Sequence, residues 1–546
     1  MGVSRRTVLA GAGAALATPA FAAAPAAAAA PSPPGDVVGK ISVGYQGWFA
    51  CPGDGAPIGG WWHWSRDRFQ PPSPANTTIV SWPDMREYTR GYTTAYPSLG
   101  NGQPAQLFSS YDDQTVDTHF RWMQQYGCDT AALQRFNPVS GEGPTRDVMA
   151  QKVRAAAERY GRKFYIMYDV TSWTNMQSEI KTDWTTKMSS HVASSAYARQ
   201  NGKPVVCIWG FGFNDDGRPF APAACLDVVN WFKAQGCYVI GGVPTYWRQG
   251  INDSRPGFSE VYHAFNMISP WMVGRTGDLA GLDSFYANVN VPDKADCDAS
   301  GIDYQPCVMP GDLSSGHRRH GDFYWRHLYN MIRLGSAGLY VSMFDEYNEG
   351  NQIAKTSETQ ATTPAGAGIR ALDEDGTFCS SDYYLRLTAD GGRMLKGQLA
   401  LTATRPTQPV VTPPPTGASG LRSRANNLWV QATDAGNGPL VARGTGLGTW
   451  EGFDVVPLSG GNVALRARVN GRYVCAENAG ANPLVANRTA VGGWETFRLV
   501  RNSNGTVSLQ ATVNGRYVCA DNAGANPLVA NRTAIGPWEQ FDLATP

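Results

Sequence analysis

The sequence predicts an α/β fold: a (β/α)8 TIM barrel, followed by a proline-rich linker and a small all-β domain. Three observations predict this organisation. In the larger N-terminal part, a helical face, a glycine and an apolar strand follow one another repeatedly. A run of prolines then interrupts the pattern, and beyond it a block of 44 residues recurs. The length of 546 residues is sufficient for two or three such domains.

The alternation of helix and strand predicts a parallel sheet. Four amphipathic stretches end at Gly127, Gly161, Gly236 and Gly335, and each leads directly into an apolar strand. This order is typical of a parallel sheet whose faces are covered by helices. Eight candidate strands favour a closed barrel over residues 36–402 rather than an open doubly wound sheet. They are residues 41–45, 130–133, 164–168, 205–209, 238–240, 266–269, 304–309 and 339–344.

A domain boundary is predicted near residue 403. Residues 403–418 form a Pro/Thr-rich linker of the stiff, extended kind. Beyond it, residues 470–490 recur almost unchanged at 514–534, and a weaker copy covers 426–445. Asn-Gly turns between short alternating strands predict a closed three-fold β structure. Large aromatic residues occupy equivalent positions in all three copies. They are Trp450, Trp494 and Trp538, and Phe453, Phe497 and Phe541.

Residues 419–546 therefore resemble the β-trefoil of fascin-like and ricin-type sugar-binding modules. The repeat period is specific for the architecture and only suggestive of the ligand. The proline-rich linker favours a carbohydrate-binding module that holds the chain on a polysaccharide. A purely structural trefoil is the alternative.

Residues 1–30 are predicted to be an export signal. Arg5 and Arg6 precede an Ala-rich apolar stretch, and Ala-x-Ala steps between Ala20 and Ala30 offer cleavage points. This segment resembles a twin-arginine signal, and an ordinary secretory leader is the alternative. Either predicts a secreted, extracellular protein. No later apolar run has the length of a membrane span, so membrane insertion is not expected.

Composition points to neutral partners. Without the two arginines of the leader, the net charge changes from +1 to −1, which leaves no basic field for nucleic acid or anionic lipid. The 17 Trp and 23 Tyr residues offer flat faces that suit sugar rings as well as protein cores. We expect a monomer whose partner is a polysaccharide or glycan.

The ten cysteines do not predict a metal site. They are scattered, with no Cys-x-x-Cys pair and no histidine at ligand spacing, so we expect no metal and no cofactor. An even number in an exported chain permits disulfides. Cys297 and Cys307 are a plausible loop-closing pair, and some of the cysteines are equally compatible with buried thiols.

The strongest chemical signal is an apolar strand that ends in three carboxylates, Asp345, Glu346 and Glu349. A glycosidase needs two acids on a rigid element, one to protonate the leaving oxygen and one to act as base or nucleophile. On a solvated turn, a Glu-x-x-Glu motif would not indicate catalysis. Here the motif follows a predicted buried strand, which favours catalysis.

Polar or aromatic side chains also follow the other predicted strands, where a barrel assembles its active site. No Gly-x-Gly-x-x-Gly or Gly-x-Ser-x-Gly motif supports a dinucleotide site or a serine esterase. The aromatic run at residues 60–64 is either a sugar platform or a structural cluster, and residues 316–320 are expected to form a solvated loop. The strand-end candidates are Tyr45, Gln134, Arg135, Asp169, Trp209 and Trp247.

Several motifs together resemble glycoside hydrolase family 99 and its bacterial relatives, which are related to family 71. They are Gly-Tyr-Gln-Gly-Trp-Phe at 44–49, Tyr-Asp-Asp at 111–113, Ala-Leu-Gln-Arg-Phe at 132–136 and Phe-Asp-Glu-Tyr-Asn-Glu-Gly at 344–350. The resemblance covers most of residues 36–400. It implies a (β/α)8 barrel that cuts internal α-mannosidic linkages with retention and without a metal. The family's Glu-Trp-His-Glu-Gly motif is Glu-Tyr-Asn-Glu-Gly here, with both carboxylates kept.

The resemblance implies roles for individual residues. Glu349 would protonate the leaving oxygen, and Glu346 would take the proton from the sugar 2-hydroxyl, whose oxygen then attacks the anomeric carbon. We expect a raised pKa for Glu349 and an ionised Glu346. Tyr45 would lie under the reacting sugar. The other substrate-binding candidates are Asp112, Gln134, Arg135, Asp169, Trp209, Trp247, Asp345 and Asn348.

Three functional hypotheses follow. The first is a secreted endo-acting α-mannosidase or mannanase. The second is a hydrolase of the same fold that acts on another α-glycan such as α-glucan, because Tyr347 and Asn348 replace the family's Trp-His pair. The third is a non-catalytic carbohydrate-binding protein. Depolymerisation of a glycan by the barrel would exclude the third hypothesis, and a panel of linkages would separate the first two.

Overall fold

The computed structural model describes residues 32–364, 366–409, 419–458, 462–502 and 504–544. The predicted export signal at 1–30 lies outside the described residues, as do residues 410–418 of the predicted linker. No helix in the described ranges is long and apolar enough to cross a membrane.

The N-terminal part is a closed parallel barrel. Neighbouring strands follow the order of the chain, and the last strand, β8, pairs with the first, β1. Strand β7 is interrupted at Gln305 and Pro306; its first half pairs with β6 and its second half with β8. The strands are β1 Ile41–Tyr45, β2 Thr130–Arg135, β3 Lys163–Asp169, β4 Lys203–Trp209, β5 Tyr238–Val243, β6 Met267–Pro270, β7 Asp303–Tyr304 with Cys307–Val308, and β8 Leu339–Val341. This strand order confirms the predicted (β/α)8 barrel.

Nine α-helices belong to the described part of this barrel domain. They are α1 Asp113–Gln125, α2 Gly143–Tyr160, α3 Met176–Thr186, α4 Pro222–Ala234, α5 Ser259–Ala264, α6 Leu279–Phe285, α7 Val291–Ser300, α8 Asp322–Arg333 and α9 Tyr383–Leu395. The sequence predicted α1, α2, α4 and α8. It did not predict the other five, which include short helices such as α5 and helices with few buried apolar residues such as α3.

Two long segments follow strands β1 and β8 and lie at the carboxyl ends of the barrel strands. They are residues 46–112 and 342–382. Isolated backbone bridges join them, such as those between Pro83 and Thr356 and between Leu99 and Pro364. The two segments therefore form one connected layer at the end of the barrel where TIM-barrel active sites lie.

The described residues of the C-terminal part form twelve strands in three repeats of four, which confirms the predicted trefoil. The strands are Gly420–Ser423, Trp429–Ala432, Leu440–Gly444, Phe453–Pro457, Asn462–Ala467, Tyr473–Ala476, Leu484–Arg488, Phe497–Arg501, Val507–Ala511, Arg516–Ala520, Leu528–Arg532 and Phe541–Ala544. Equivalent inward positions form a core of Leu, Val, Ala and Phe.

The three repeats interlock in a ring. Gly436 of the first repeat packs on the Asn470 amide of the second, so closely that a Cβ would lie 2.1 Å from Nδ2. Gly480 meets Asn514 in the same way, and Gly524 closes the ring on Asn426. All three glycines have positive φ, which a residue with a side chain rarely adopts. This closure explains why the Ala-Gly turn recurs in every copy.

All ten cysteines lie in the described residues, are buried and are not bonded to one another. The predicted pairing of Cys297 with Cys307 is therefore wrong. Cys297 is buried near the end of α7, and Cys307 lies in barrel strand β7, where both act as small apolar core residues. Burial raises the pKa of both thiols above their ordinary value, which keeps them protonated.

Candidate active site

The three carboxylates of the predicted motif lie directly beyond β8 and differ sharply in exposure. Asp345 is fully buried, Glu346 is 4% exposed, and Glu349 is exposed. A group that must exchange protons with a ligand needs access, whereas a buried carboxylate needs internal hydrogen-bond donors. By its complete burial, Asp345 fits a structural role, whereas the two glutamates remain candidates for proton exchange with a ligand.

Asp345 holds the turn that follows β1. Its two oxygens accept hydrogen bonds from the backbone amides of Gln46 and Gly47, each at 2.8 Å. Burial raises the pKa of Asp345 to about 6, and these amide donors together with the Arg146 charge limit that rise. The carboxylate has no exposed surface. The prediction that Asp345 binds substrate is therefore wrong, because both of its oxygens serve the backbone.

Gln46 links this turn to Glu346. Its side-chain amide nitrogen donates a hydrogen bond to Glu346 Oε2. Glu346 Oε1 and Gln46 Oε1 are both buried and have no partner in the described residues. An unpaired buried carboxylate oxygen is costly unless a ligand group satisfies it. Glu346 thus has one oxygen fixed by the protein and one left for chemistry.

Two buried arginines fix the backbone on either side of the glutamates. Arg146 donates hydrogen bonds to the carbonyl oxygens of Gln46 and Gly47 after β1 and of Gln134 in β2. Arg318 donates in the same manner to the carbonyls of three loop residues. They are Gly311 at 2.9 Å, Gly350 at 2.8 Å and Gln352 at 2.7 Å. In the expected solvated loop at 316–320, Gly316 and Arg319 are exposed, whereas Arg318 is only 1% exposed and anchors the segment after Glu349.

The pKa values of both glutamates are raised. For Glu346 the main cause is burial, followed by repulsion from Glu349, and the hydrogen bond from Gln46 opposes the rise. For Glu349 the causes are desolvation and the nearby charge of Asp312, opposed by a hydrogen bond from Asn351 at 3.2 Å. The raised Glu349 agrees with expectation. The expectation that hydrogen bonds keep Glu346 ionised at rest is contradicted, because the donors from the Gln46 side chain and the Asn348 backbone do not offset its burial.

Three other predicted residues reach solvent at the strand ends. Trp209 is half-buried at the end of β4, with the Arg218 guanidinium 4.4 Å above its ring. Asp169 ends β3 and accepts a hydrogen bond from the Thr171 amide at 2.9 Å. Asp112 lies before α1, where it pairs with Arg90 at 3.1 Å and accepts from a tyrosine hydroxyl. These positions remain candidates for sugar contacts.

Tyr45, Arg135 and Trp247 are not placed for substrate binding. Tyr45 is fully buried, with its hydroxyl 3.0 Å from His119 Nδ1, so it cannot lie under a sugar. The Arg135 guanidinium is buried in ion pairs with Asp183 and Asp147. Trp247 is 2% exposed and donates its indole N–H to Asp293 at 3.0 Å. Tyr45 and Arg135 are the last residues of β1 and β2, and Trp247 lies in the turn after β5; all three side chains are directed into packed surroundings.

The side-chain amides of Gln134 and Asn348 also make contacts within the protein. Gln134 is 7% exposed, and its amide nitrogen lies 3.8 Å from Met343 Sδ. The Asn348 amide donates to the carbonyl of His63 at 2.8 Å and to the Thr78 hydroxyl at 3.0 Å. Asn348 therefore ties the loop after β8 to the segment after β1. Its Oδ1 has no partner in the described residues, so its role in substrate binding stays a prediction.

Sequence reasoning missed several residues that form this site. Gln46 gave two weak signals, its position just past the first predicted strand and its place inside the Gly-Tyr-Gln-Gly motif, and neither assigned it a role. Trp48 stacks on His63 with a ring separation of 3.8 Å and an interplanar angle of 14°, and both rings are half-buried. Burial and the Arg146 charge lower the pKa of His63 to about 3, so the ring is neutral. In the run at 60–64, Trp61 and Trp64 belong to the core, so the cluster is partly structural.

Two cavities open near the strand ends. One of about 310 Å³ lies between the two long segments and is lined by residues that include Trp82, Arg86 and Glu358. Another of about 610 Å³ lies where α3 and α4 begin, beside Lys181 and Phe220. Neither cavity is lined by Glu346 or Glu349. No group of three potential metal ligands occurs in the described ranges.

Fold and site together define a (β/α)8 barrel with two catalytic-type carboxylates at its active end, joined in sequence to a β-trefoil. No family model and no curated protein matches the chain. Solved structures that are similar include a GH99 endo-alpha-mannosidase from Bacteroides thetaiotaomicron, with 15% identity and a TM-score of 0.47. That match covers 66% of this chain and 98% of the other. A second structure of that enzyme, in complex with BIS-TRIS-propane, gives 16% identity and a TM-score of 0.48 over the same shares.

The C-terminal part has its own structural matches. A designed three-fold symmetric protein, ThreeFoil, has 20% identity and a TM-score of 0.23, covering 24% of this chain and all of the other. A lectin from Polyporus squamosus has 12% identity and a TM-score of 0.22, covering 24% of this chain and 49% of the lectin. The resemblances inferred from sequence for both parts thus recur among solved structures. At these scores, the strand orders described above carry the fold assignment.

Proposed function

We propose that the barrel is a glycoside hydrolase that cleaves internal α-mannosidic linkages with retention of configuration. The observation that carries the proposal is the pair Glu346 and Glu349 at the carboxyl end of β8. One is nearly buried with a free oxygen, the other is exposed, and both have raised pKa values. Two carboxyl groups in different environments provide the acid and base that glycoside cleavage requires.

In the proposed mechanism, Glu349 donates its proton to the departing glycosidic oxygen. Glu346 accepts the proton of the sugar 2-hydroxyl, and that oxygen attacks the anomeric carbon to form a 1,2-anhydro sugar. Water then attacks the same carbon as Glu349 takes its proton, and Glu346 returns a proton to the 2-oxygen. Protons and bonds balance over the two steps, so no cofactor is needed.

The raised pKa of Glu346 sets a requirement for this mechanism. As the base, Glu346 must be ionised before substrate can react. Turnover should therefore rise with pH through the pKa of Glu346 and fall once Glu349 loses its proton. The donated hydrogen bond from Gln46 favours the ionised form. We therefore expect a bell-shaped profile whose acidic side is set by Glu346.

A different α-glycan such as α-glucan is the second candidate, and a non-catalytic carbohydrate-binding barrel is the third. The change of Trp-His to Tyr347 and Asn348 motivated the second candidate. Tyr347 is fully buried and its hydroxyl donates to the Lys355 carbonyl, while Asn348 bonds to the segment after β1. Tyr347 therefore does not face a sugar, which leaves only Asn348 as a reason to prefer glucan.

The test is release of oligosaccharides from α-mannans and α-glucans, followed by mass spectrometry, with the full chain and with Glu346→Gln and Glu349→Gln. We expect release from α-mannan and a loss of turnover of about 10² to 10⁴-fold in each variant. Glu260→Gln is a matched control, because Glu260 is exposed on α5, remote in sequence from the motif. Cleavage of glucan alone would support the second candidate, and binding without cleavage the third.

We further propose that the trefoil is a carbohydrate-binding module and that residues 1–30 direct twin-arginine export, so that the enzyme acts as a monomer outside the cell. The three-fold repeat and the proline-rich linker support the first part, and the Arg5-Arg6 pair supports the second. Replacing both arginines by lysine should keep the protein inside the producing cell. Export that continues unchanged would favour an ordinary secretory leader.

A further inference from the structure

The second and third trefoil repeats share an ion pair that the first repeat lacks. In the second repeat, Arg488 bonds to Glu477 at 3.0 Å and lies 3.6 Å from the buried Glu495. In the third, Arg532 pairs in the same way with Asp521 at 2.9 Å and Glu539 at 3.8 Å. These arginine side chains fill the space beside a buried carboxylate.

The first repeat keeps the carboxylate and lacks the arginine. Glu451 is equivalent to Glu495 and is 8% exposed. Gly444 stands where Arg488 stands, and Thr433 stands where Glu477 stands. Both members of the ion pair are therefore replaced together, and a cavity of about 410 Å³ occupies this place, lined by Gly444, Glu451 and their neighbours. Such a volume is in the range of small-molecule sites.

The polar groups around this cavity form a hydrogen-bonded chain that still has unused donors and acceptors. Arg443 Nε donates to Gln431 Oε1 at 2.8 Å, and Gln431 Nε2 donates to Glu451 Oε1 at 2.7 Å. Glu451 Oε2 accepts from the Gly448 amide at 3.0 Å. Each Glu451 oxygen can accept another hydrogen bond, and the Arg443 guanidinium keeps further donors. The cavity thus offers a carboxylate acceptor and a guanidinium donor together.

The charges select the ligand class. An anion is repelled by Glu451, and a cation is repelled by Arg443. A neutral sugar ring satisfies both, because each hydroxyl donates one hydrogen bond and accepts others. The exposed indole of Trp450 precedes Glu451 in the chain, and its face suits a pyranose ring. We propose that this first-repeat pocket is the carbohydrate-binding site of the trefoil, and that Arg488 and Arg532 close the equivalent places in the other two repeats.

This inference rests on the proposed carbohydrate-binding role of the trefoil and narrows it to one site per chain. The experiment uses the full chain carrying Glu349→Gln, so that ligands are not cleaved. Isothermal titration with tetrasaccharides of α-linked mannose and of α-linked glucose gives the number of bound molecules per chain. We expect two, one at the barrel and one at the trefoil.

Gly444→Arg should reduce the number of sites by one, because it places in the first repeat the side chain that fills the others. Its backbone conformation permits a side chain, although a Cβ would lie 2.6 Å from Glu451 Cγ, so Glu451 must shift. The matched control is Gly493→Arg, at a position where a Cβ meets nothing within 4 Å. This control adds the same charge outside the pocket. Both the barrel site and the trefoil site should still bind sugar.

Two further variants keep the test independent of folding. Glu451→Gln keeps the shape of the pocket and removes the charged acceptor, and it should weaken the trefoil site about tenfold. Replacing Cys475 by Gln, Glu477 by Thr, Asn487 by Arg and Arg488 by Gly gives the second repeat the residues of the first-repeat pocket, so it should open a new site and increase the number of bound molecules by one. Thermal unfolding of each variant reports whether the trefoil is intact.

The outcomes separate this inference from the proposed function. An unchanged count in a folded Gly444→Arg chain would overturn the first-repeat site, even if the trefoil bound sugar elsewhere. Binding at the barrel alone in every variant would overturn the inference and the binding role of the trefoil while leaving hydrolysis intact. Failure of the unmodified chain to cleave any glycan would count against the proposed hydrolase, and the trefoil count would still be measurable.

Discussion

The barrel and the trefoil place charged groups in opposite ways. The barrel core contains buried ionisable side chains that each occur once, such as Asp345, Arg135 and Arg318. The trefoil core consists of Leu, Val, Ala and Phe, and its buried carboxylates occupy the same position in each repeat. The buried charges of the barrel follow no repeat, whereas those of the trefoil are distributed by three-fold symmetry. In both domains, function is expected where a side chain departs from the local pattern.

The comparison also shows how each domain tolerates a buried carboxylate. Asp345 and Glu346 depend on a turn that two long segments and Arg146 hold in place. Glu495 depends on the amide of Gly492 at 2.8 Å within its own repeat. Hydrogen bonds to a buried carboxylate that come from the same repeat can recur in every repeat. Those that come from distant parts of the chain occur once. Changes in the barrel should therefore have larger effects than equivalent changes in the trefoil.

The largest effect on stability is expected from Arg135→Met. Arg135 is 2% exposed and pairs with Asp183, which is itself buried. Removing the cation leaves an uncompensated carboxylate in the barrel wall, which costs about 3–5 kcal/mol. Denaturant unfolding of the variant and the unmodified chain measures the difference. A loss below 1 kcal/mol would show that the barrel tolerates unpaired charge as well as a surface does.

The next effect concerns the pH dependence of stability. The pKa of Asp345 is raised from 3.8 to about 6 in the folded barrel, so the folded state binds its proton more tightly. This contribution is present below about pH 4 and is lost as pH rises through 6, which changes the free energy of unfolding by up to ~3 kcal/mol.

Asp345→Asn removes this titration and serves as the comparison. The variant should be less stable, because an amide cannot accept from both backbone N–H groups, and its stability should decline less between pH 4 and 6. Unfolding by denaturant at several pH values measures both curves. Parallel curves would mean that Asp345 has an ordinary pKa.

A smaller effect is expected on catalysis from Gln46→Met. The change preserves approximate shape and removes the donor to ionised Glu346. The pKa of Glu346 should rise further, and the acidic side of the pH–activity profile should move upward by about one unit. Gln124→Met, at an exposed position of α1, is the matched control. A lower rate with an unmoved profile would assign Gln46 a purely structural role.

The smallest effect is expected from Arg488→Met in the trefoil. This guanidinium is partly exposed, and its partner Glu477 also faces solvent, so the ion pair contributes about 0–1 kcal/mol. Thermal unfolding of the variant beside Arg135→Met compares the two domains directly. A loss larger than that of Arg135→Met would reverse the proposed contrast between long-range and local charge burial.

The sequence predicted the parts of the fold that depend on local pattern. Glycine after a helical face and apolar runs located all eight barrel strands, although β8 proved shorter than the predicted 339–344. The 44-residue repeat gave the trefoil. The sequence also located Glu346 and Glu349 at the carboxyl end of a strand. These features follow from periodicity and from neighbouring residues in the chain.

The neighbours of these acids could not be predicted in the same way. Tyr45, Arg135 and Trp247 follow apolar runs as an active-site residue would, yet their side chains are buried in contacts with His119, Asp183 and Asp293. Adjacency in sequence cannot specify which way a side chain points at a strand end. The partners lie on other elements, up to 74 residues away for Tyr45 and His119.

What the sequence by itself determined is the order of the elements, the two folds and the position of Glu346 and Glu349 beyond β8, because each depends on short-range periodicity. Only the tertiary structure decided that Gln46 reaches Glu346 across 300 residues of chain and that Arg146 and Arg318 fix the loops on either side. It also decided that Glu346 has a raised pKa. Burial depends on all elements that close around a group, so desolvation is a property of the assembled barrel and not of any segment within it.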